Sequence, residues 1–383
     1  MSIERNLVAA TASAHSRVEI YSGVARLAKT VWASEVRESG TPRDTAVMFC
    51  HPTANFLGHY ALPGIAARGF GAIGLTTRYV GNDSSLLMEN CLLDIGSVVR
   101  HLREVLGYRR VVLVGNSGGA STAPYYQAQA LTPTVSSPPG GGPDLTQADL
   151  PPLDGLVMFM AHPSRARLSS EWLDPAITDE LRPFARDATL DMYDERNAPP
   201  YTPAFIATYR AAQIERNRRI SRWCEEQLTG LSSHRSGPDG LDDLPFVVHG
   251  TCADLRFLDG AIDPSDRPIG VSLWGPPAVA NYLPAGIGRF NTARAWLNQW
   301  SIDHSLGNAL RWLPDVGVPV LVEYGTADVT VHPHMGQEMH EAAGDTSELV
   351  AIKGAGHYYE GTPELLEEAL DAMADWVTRR VVR

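Results

Sequence analysis

Cysteine is scarce in this sequence. Its 383 residues include four cysteines, Cys50, Cys91, Cys224 and Cys252. They lie far apart and form neither a C-x-x-C pair nor the spacing of a zinc site. A disulfide-stapled secreted scaffold is therefore not indicated. We expect free thiols in a reducing compartment, which predicts a cytoplasmic protein.

The sequence also lacks a surplus of basic residues and any long apolar run. Its 32 lysines and arginines are outnumbered by 44 aspartates and glutamates, which gives a formal net charge of −12. Because nucleic acid is bound by a basic surface, this composition disfavours a nucleic-acid partner. No stretch of about 18 apolar residues predicts a membrane span, and the first residues, with Glu4, Arg5 and a polar stretch at 11–16, do not resemble a secretion signal. We expect a soluble protein with a small-molecule substrate and no membrane partner, and we leave a homodimer open.

The remaining composition is that of an ordinary globular protein. Hydrophobic residues make up 44% of the chain and charged residues 20%, which is sufficient for a sizeable core. At roughly 150 residues per domain, the length predicts two domains, or one large α/β domain with an insertion.

Short apolar runs alternate with helix-like segments towards both ends of the chain. The β-branched and leucine run at 111–114 is typical of a strand that is buried on both faces of a parallel sheet. A pair of strands is expected within 17–33. Further strands are predicted at 46–50, 71–76, 156–160, 318–324 and 348–352. Helices are predicted at 60–68, 84–106, 334–343 and 363–379, and a further helix-compatible segment runs from the glycines at 118 and 119 to about 131. This order predicts an α/β protein with a mostly parallel sheet flanked by helices.

The alternation stops between 163 and 312. Within this segment the sequence predicts helices at 176–187, 203–229 and 290–311 and a strand at 246–248. A sheet that is interrupted and later completed needs both ends of the insertion at its rim. We therefore expect one sheet domain, formed by 1–162 and 313–383, and a mainly helical insertion at 163–312.

A serine flanked by glycines follows the strand at 111–114. The run Gly115-Asn116-Ser117-Gly118-Gly119 matches the G-x-S-x-G pattern of a nucleophile elbow, in which glycines relieve crowding of the backbone around an exposed serine. A glycine-rich turn that only packs or binds phosphate is the alternative. The position between a buried strand and a helix favours Ser117 as a nucleophile.

A nucleophilic serine needs a general base and an acid that orients the base. Asp328 follows the strand at 318–324, and His357 follows the strand at 348–352. Both residues therefore lie at carboxyl ends of strands, where open parallel sheets hold their ligand sites. We assign Asp328 as the acid and His357 as the base.

Three other residues are rivals for these roles. Glu323 lies inside a predicted strand rather than beyond its end, which disfavours it as the acid. His51 and His162 also sit at strand ends, and we expect them to line the substrate pocket rather than to act as the base.

These residues resemble those of a serine hydrolase of the α/β-hydrolase fold. The resemblance covers 1–162 and 313–383, and it places Ser117, His357 and Asp328 on the nucleophile, base and acid positions of that family. It implies that the insertion at 163–312 is a cap over the active site. It also implies an enzyme that works through an acyl-enzyme without a metal or an organic cofactor.

The resemblance further implies an oxyanion hole, formed by preorganised donors that stabilise the charge on the attacked carbonyl. One donor is the backbone N–H of Gly118. The other is expected from the loop after the strand at 46–50, where the family often has His-Gly-x-x. This chain has a proline at position 52, which lacks an N–H. Thr53 is therefore the expected second donor, with Ala54 as the next choice.

The insertion contains six of the eight tryptophans, namely Trp172, Trp223, Trp274, Trp296, Trp300 and Trp312. Aromatic rings of this number predict a roofed pocket for a medium-sized apolar or aromatic substrate. For any individual tryptophan, however, a place in the insertion's own core is the favoured interpretation. His51, Ala54 and His162 are the other candidates for the pocket.

Nothing in the sequence predicts a bound metal or cofactor. The motifs G-x-G-x-x-G and G-x-x-x-x-G-K-[ST] are absent from the sequence. His332, His334 and His340 lie close together, but no further ligand completes the spacing of a zinc site. We interpret these histidines as part of a solvated surface.

The expected reaction is hydrolysis of a carboxylic ester, a thioester or a lactone. A hydrolase that cleaves a carbon–carbon bond next to a ketone would use the same three residues. An acyltransferase and a non-catalytic binder of small ligands are further alternatives on the same fold.

Overall fold

The computed structural model of the chain describes residues 2–12, 30–234 and 242–383. These residues contain ten strands: β1 Ile3–Thr11, β2 Thr30–Glu38, β3 Thr45–Cys50, β4 Gly71–Leu75, β5 Arg110–Asn116, β6 Gly155–Phe159, β7 Pro245–Val247, β8 Phe290–Thr292, β9 Val320–Gly325 and β10 Ser347–Ile352. They also contain ten α-helices: α1 Leu62–Ala67, α2 Met88–Glu104, α3 Ala123–Leu131, α4 Arg165–Trp172, α5 Pro203–His234, α6 Pro277–Ala280, α7 Ala293–Ala295, α8 Ala309–Trp312, α9 Pro333–Ala343 and α10 Pro363–Val377.

Eight of the described strands form one sheet in the order β1-β2-β4-β3-β5-β6-β9-β10. Every pair from β4 to β10 is parallel, whereas β1 and β2 are antiparallel to their neighbours. The predicted mostly parallel sheet is confirmed. The carboxyl ends of β3, β5, β6, β9 and β10 consequently share one edge of the sheet.

Alternate side chains of the central strands enter two separate apolar cores. In β3, Met48 packs into one core and Phe49 into the other, and in β5 the same alternation separates Leu113 from Val114. Helices α2, α3 and α9 contribute to the first core and α1 and α10 to the second. Burial on both faces explains why these strands read as continuous apolar runs.

The amino-terminal strands were poorly anticipated. Residues 13–29 lie outside the described part of the chain, so most of the strand pair expected within 17–33 does too. β2 begins at Thr30 and pairs on one side with β1, a strand that the sequence did not predict. β1 is an edge strand in which Val8 and Ala10 are buried while Leu7 is exposed, so its apolar pattern is weak.

Between β6 and β9 the chain leaves the main sheet. The predicted helix at 203–229 is confirmed within α5, and the predicted strand at 246–248 corresponds to β7, which pairs with β8. This segment has apolar clusters of its own, one of them built around Trp296 and Trp300. None of the helices in the described residues has both the length and the apolar character that crossing a bilayer requires.

Two helices predicted in this segment are wrong. Residues 176–187 form turns closed by a bridge between Ile177 and Arg186, and Arg186 is held there by ion pairs with Asp174 and Asp191. Residues 290–311 are divided among β8, α7, a π-helical turn at Trp296–Trp300 and α8. Pairing of β8 with β7 takes its residues out of the helical pattern.

Candidate active site

Ser117 lies on a sharp turn at the carboxyl end of β5. Its φ angle is 53°, a left-handed conformation that costs a non-glycine residue energy and exposes its side chain. The flanking glycines are required by close contacts. A Cβ on Gly119 would lie 2.3 Å from the carbonyl oxygen of Cys50, and one on Gly115 would lie 2.8 Å from the carbonyl oxygen of Gly119. The geometry is that of a nucleophile elbow.

The structure brings Ser117, His357 and Asp328 together. Oγ of Ser117 is 3.1 Å from Nε2 of His357, and Nδ1 of His357 is 2.6 Å from Oδ2 of Asp328. Asp328 is fully buried and His357 is 6% exposed. These distances permit a proton to pass from the hydroxyl to the imidazole while the carboxylate holds the opposite ring nitrogen.

Backbone contacts hold the two loops that carry the base and the acid. Oδ1 of Asp328 accepts hydrogen bonds from the backbone N–H groups of Thr330 and Val331, at 2.7 and 3.0 Å. The N–H of Ala327 donates to the carbonyl oxygen of Ala355. A Cβ on Gly325 would lie 2.2 Å from the same carbonyl oxygen. The carboxylate is therefore oriented by fixed donors rather than by a mobile side chain.

Glu323, the rival acid, lies within β9 and makes no hydrogen bond to the imidazole of His357. Its side chain is fully buried, and neither carboxyl oxygen has a hydrogen-bond partner among the described residues. Burial raises the pKa of this carboxyl well above its ordinary value. A carboxyl kept neutral in this way cannot stabilise an imidazolium.

The loop after β3 is organised around His51. Nδ1 of His51 accepts hydrogen bonds from the backbone N–H groups of Thr53 and Ala54, at 3.1 and 3.0 Å. The N–H of Thr53, expected as the second oxyanion donor, is thus engaged by the imidazole, and so is that of Ala54. This part of the sequence-based prediction needs correction, because a ring nitrogen occupies both donors.

The same contacts fix the tautomer of His51. Since Nδ1 accepts, the proton of the neutral ring sits on Nε2. Burial, followed by the charge of Arg165, lowers the pKa of His51 well below its ordinary value. Nε2 is 2.9 Å from the position that a Cβ on Gly118 would occupy. A neutral N–H donor therefore lies beside the residue that follows the nucleophile.

A cavity of about 190 Å³ opens onto Ser117. Its lining residues include His51 and His162, as predicted, and also Thr53, but not Ala54. Ala54 packs instead against the apolar core on the α1 and α10 side of the sheet. His162 is 4% exposed, and burial lowers its pKa to about 3, so its ring is neutral at pH 7.

The segment between β6 and β9 contributes most of the remaining cavity wall. Its apolar lining residues are Leu168, Trp172, Leu273, Trp274, Ile287 and Trp300. Three of the six tryptophans singled out in the sequence thus face this space. A larger cavity, of about 810 Å³, lies elsewhere in the same segment, between residues such as Leu181, Trp223 and Phe246. Ser117, His357 and Asp328 do not line this larger cavity.

Sequence reasoning missed two charged residues of the cavity, Arg165 and Asp83. Arg165 is the first residue of α4 and is 5% exposed, and its Nη2 is 3.0 Å from Oδ2 of Asp83. A signal for Arg165 was present, because the residue follows the carboxyl end of β6. Asp83 lies in the loop before α2, and no motif marks it.

The histidines after Asp328 do not form a uniformly solvated surface. His332 is 1% exposed, and its two ring nitrogens have no hydrogen-bond partner among the described residues. His334 pairs with Asp263 and His340 with Ser347. The surface interpretation is wrong for His332, because its side chain is buried.

Comparison with known proteins finds similarity in structure. No family model matches the sequence, and no curated protein does. The α/β hydrolase GrgF from Penicillium sp. sh18 superposes with a TM-score of 0.54 at 11% sequence identity, over 99% of this chain and 100% of that one. A hypothetical protein from Pseudomonas aeruginosa gives a TM-score of 0.52 at 12% identity, over 99% of this chain and 94% of that one. At such identities the likeness concerns the fold.

Proposed function

We propose that this chain, which has the α/β-hydrolase fold, is a serine hydrolase that cleaves carboxylic ester-type bonds through an acyl-enzyme. One observation carries the proposal: the hydroxyl of Ser117, the imidazole of His357 and the carboxylate of Asp328 form a continuous line of hydrogen bonds. The strained backbone at Ser117 supports it, since strain of this kind is concentrated at functional sites.

In the first half of the reaction, Oγ of Ser117 attacks the carbonyl carbon while Nε2 of His357 takes the hydroxyl proton. Asp328 stabilises the imidazolium that forms. The imidazolium then returns the proton to the oxygen of the departing alcohol, and the acyl group stays on Ser117. In the second half, water gives a proton to His357 and attacks the acyl carbon. The imidazolium then returns this proton to Oγ of Ser117 as the acid leaves, which restores the hydroxyl.

The negative charge that develops on the carbonyl oxygen needs two donors. The backbone N–H of Gly118 is one. We assign Nε2–H of His51 as the other, because both N–H groups of the neighbouring loop are committed to the opposite face of its ring. A neutral imidazole with a fixed tautomer is a preorganised donor.

The segment 163–312 supplies the cap in this proposal. Its support is the contribution of Trp172, Trp274 and Trp300 to the wall of the 190 Å³ cavity. Apolar rings at this position favour a substrate with an apolar or aromatic part and keep water away from the reacting carbonyl.

A fluorophosphonate probe tests the proposal. Mass spectrometry of the labelled protein should find the adduct on Ser117, and Ser117→Ala should abolish both labelling and hydrolysis across a panel of esters. Ser136→Ala, which changes an exposed serine, is the matched control and should be labelled like the wild type. A folded protein that is not labelled would refute the proposal and favour a non-catalytic binder, and cleavage of β-diketones but not esters in the same panel would refute ester specificity.

A further inference from the structure

Arg165 is a buried cation whose hydrogen-bonding capacity is only partly used. Nη2 contacts Asp83 at 3.0 Å and Oε1 of Gln299 at 3.1 Å, and the guanidinium lies 4.3 Å from the ring centre of Trp300. Its Nε is buried without a partner among the described residues. Nη1 lies 3.1 Å from the position of a Cβ on Gly118, next to the nucleophile.

Another buried arginine of this chain shows what full pairing looks like. Arg216 is 1% exposed. Its three nitrogens together bind the carboxylate of Glu180 and the carbonyl oxygens of Asp174, His249 and Gly250. Arg216 therefore has a complete structural role. Among the described residues, Arg165 has a single counter-ion, whose side chain is 28% exposed. Its side-chain hydrogen bonds to these residues use Nη2, whereas Nη1 lies beside Gly118.

Burying a guanidinium is costly unless its charge and its N–H groups are matched. The nearby imidazoles of His51 and His162 add no positive charge, because burial lowers the pKa of both and keeps them neutral. The rest of the cavity wall is mainly aromatic and aliphatic. The chemical complement of this surface is a small apolar group that ends in an anion.

We propose that Arg165 binds a carboxylate of the substrate through Nη1, so that the enzyme prefers esters that carry a free carboxylate a few bonds from the scissile carbonyl. This inference rests on the proposed function. A hydrogen bond from a guanidinium N–H to a carboxylate is charge-assisted, short and directional, so it fixes orientation as well as charge. Because the cavity is small, the carboxylate and the scissile carbonyl of a bound substrate must lie close together.

Matched substrate pairs test the inference. The acyl arm uses the monobenzyl esters of malonate, succinate and glutarate, each beside the ester in which the free carboxylate is replaced by a carboxamide. The alcohol arm uses 4-carboxybenzyl propanoate beside its 4-carbamoyl counterpart. In at least one arm, kcat/KM should be about 10- to 100-fold higher for the acid than for the amide, as expected for a charge-assisted hydrogen bond in a buried site.

Three variants assign that preference to Arg165. Arg165→Gln should bring the ratio of acid to amide close to one, and Arg165→Lys should keep part of it, because the charge remains but the position of its N–H donor changes. Arg167→Gln is the control on the same helix, since this arginine pairs with Glu171 and Glu338 and does not line the cavity; the ratio should stay as in the wild type. If Arg165→Gln lowered kcat/KM equally for the acid and the amide, Arg165 would have a structural role only, and the inference would be overturned.

A binding measurement separates this inference from the proposed hydrolysis. Calorimetric titration of the Ser117→Ala protein with monobenzyl succinate and with its amide does not depend on turnover. Tighter binding of the acid, lost on adding Arg165→Gln, supports the carboxylate site even if the fluorophosphonate test fails. Absence of a preference for the acid in both kinetics and binding overturns the site, whether or not Ser117 is labelled.

Discussion

Nε2 of His51 lies 2.9 Å from the point that a Cβ on Gly118 would occupy, and Nη1 of Arg165 lies 3.1 Å from the same point. Two potential donors thus crowd the residue whose N–H follows the nucleophile. The imidazole cannot easily withdraw, because two backbone N–H groups hold its other nitrogen. Any side chain at position 118 must displace one of these groups.

We expect Gly118→Ala to reduce kcat by about 10- to 100-fold, as a displacement of reacting groups by a fraction of an ångström does. The melting temperature should fall less than in Gly119→Ala, because the Cβ meets side-chain atoms of His51 and Arg165 rather than the backbone. Gly119→Ala is the comparison: its Cβ would lie 2.3 Å from a backbone carbonyl oxygen, so it should lower the free energy of unfolding, by about 1–3 kcal/mol. Steady-state kinetics and thermal unfolding of both variants check this. Equal effects of the two substitutions on kcat and on stability would contradict it.

Removing the imidazole of His51 should lower kcat by about 10²- to 10³-fold, the effect of losing one oxyanion donor. KM should change much less, because the ground-state carbonyl carries little charge. The measurement is kcat and KM of His51→Ala, with circular dichroism to confirm the fold. If Thr53 were the donor instead, its N–H would be released by the substitution, and kcat would stay within about 3-fold of the wild type.

His162→Ala should behave differently from His51→Ala. His162 lines the cavity, but the imidazole that hydrogen-bonds to Ser117 is that of His357, so loss of His162 should mainly raise KM. The kcat of His162→Ala is compared with that of His357→Ala, for which we expect a deep loss of turnover. A loss of kcat in His162→Ala as deep as that in His357→Ala would mean that the roles of the two histidines have been exchanged.

The residues at the carboxyl ends of strands were predictable, because parallel strands bring their ends to one edge whatever the intervening chain does. Ser117, Asp328 and His357 depended only on that rule and on short local patterns, and the structure places them in contact. The donor role of Thr53 was not predictable in the same way. It depended on where one N–H points, and a side chain two residues away decides that.

Residues 163–312 were predicted least well, because contacts between individual side chains set much of their structure and leave no regular hydrophobic pattern in the sequence. Arg186 holds the turns at 176–187 through ion pairs with Asp174 and Asp191, and such pairs leave no trace in hydrophobic periodicity. Arg165 belongs to the same class of residue, since its burial becomes visible only when Trp300 and Gln299 approach it from a distant part of the chain.

The acid that orients His357 can be distinguished from its neighbour in β9 by a matched pair of amides. Asp328→Asn should reduce kcat by about 10⁴-fold, because an amide favours the wrong tautomer of the imidazole. Glu323→Gln should keep kcat within a few-fold, because the raised pKa of Glu323 already keeps that carboxyl neutral and glutamine has nearly the same shape. Kinetics of the two proteins with one ester decide the assignment, and the opposite pattern would exchange the two roles.

Stability at low pH should depend on His332. Burial, and next the charge of Arg256, lowers the pKa of this histidine to about 3, whereas in the unfolded chain it is about 6.5. As the pH falls below about 6.5, the unfolded chain therefore takes up a proton that the folded protein does not, and stability is lost. The part of the free energy of unfolding that depends on a neutral His332 is therefore fully present above about pH 6.5. It falls by up to about 1.4 kcal/mol for each pH unit below that value.

We expect His332→Asn to lose stability less steeply than the wild type between pH 6 and pH 4.5. Urea unfolding followed by tryptophan fluorescence at several pH values measures the difference. The other buried titratable groups, including His162 and Glu323, are present in both proteins, so their effects cancel in the comparison. Above about pH 7.5 the imidazole is neutral in both states, so the difference in free energy of unfolding between the two proteins should not vary with pH. Parallel curves from pH 8 down to pH 4.5 would show that His332 takes up its proton without unfolding, and would contradict the burial that the structure gives it.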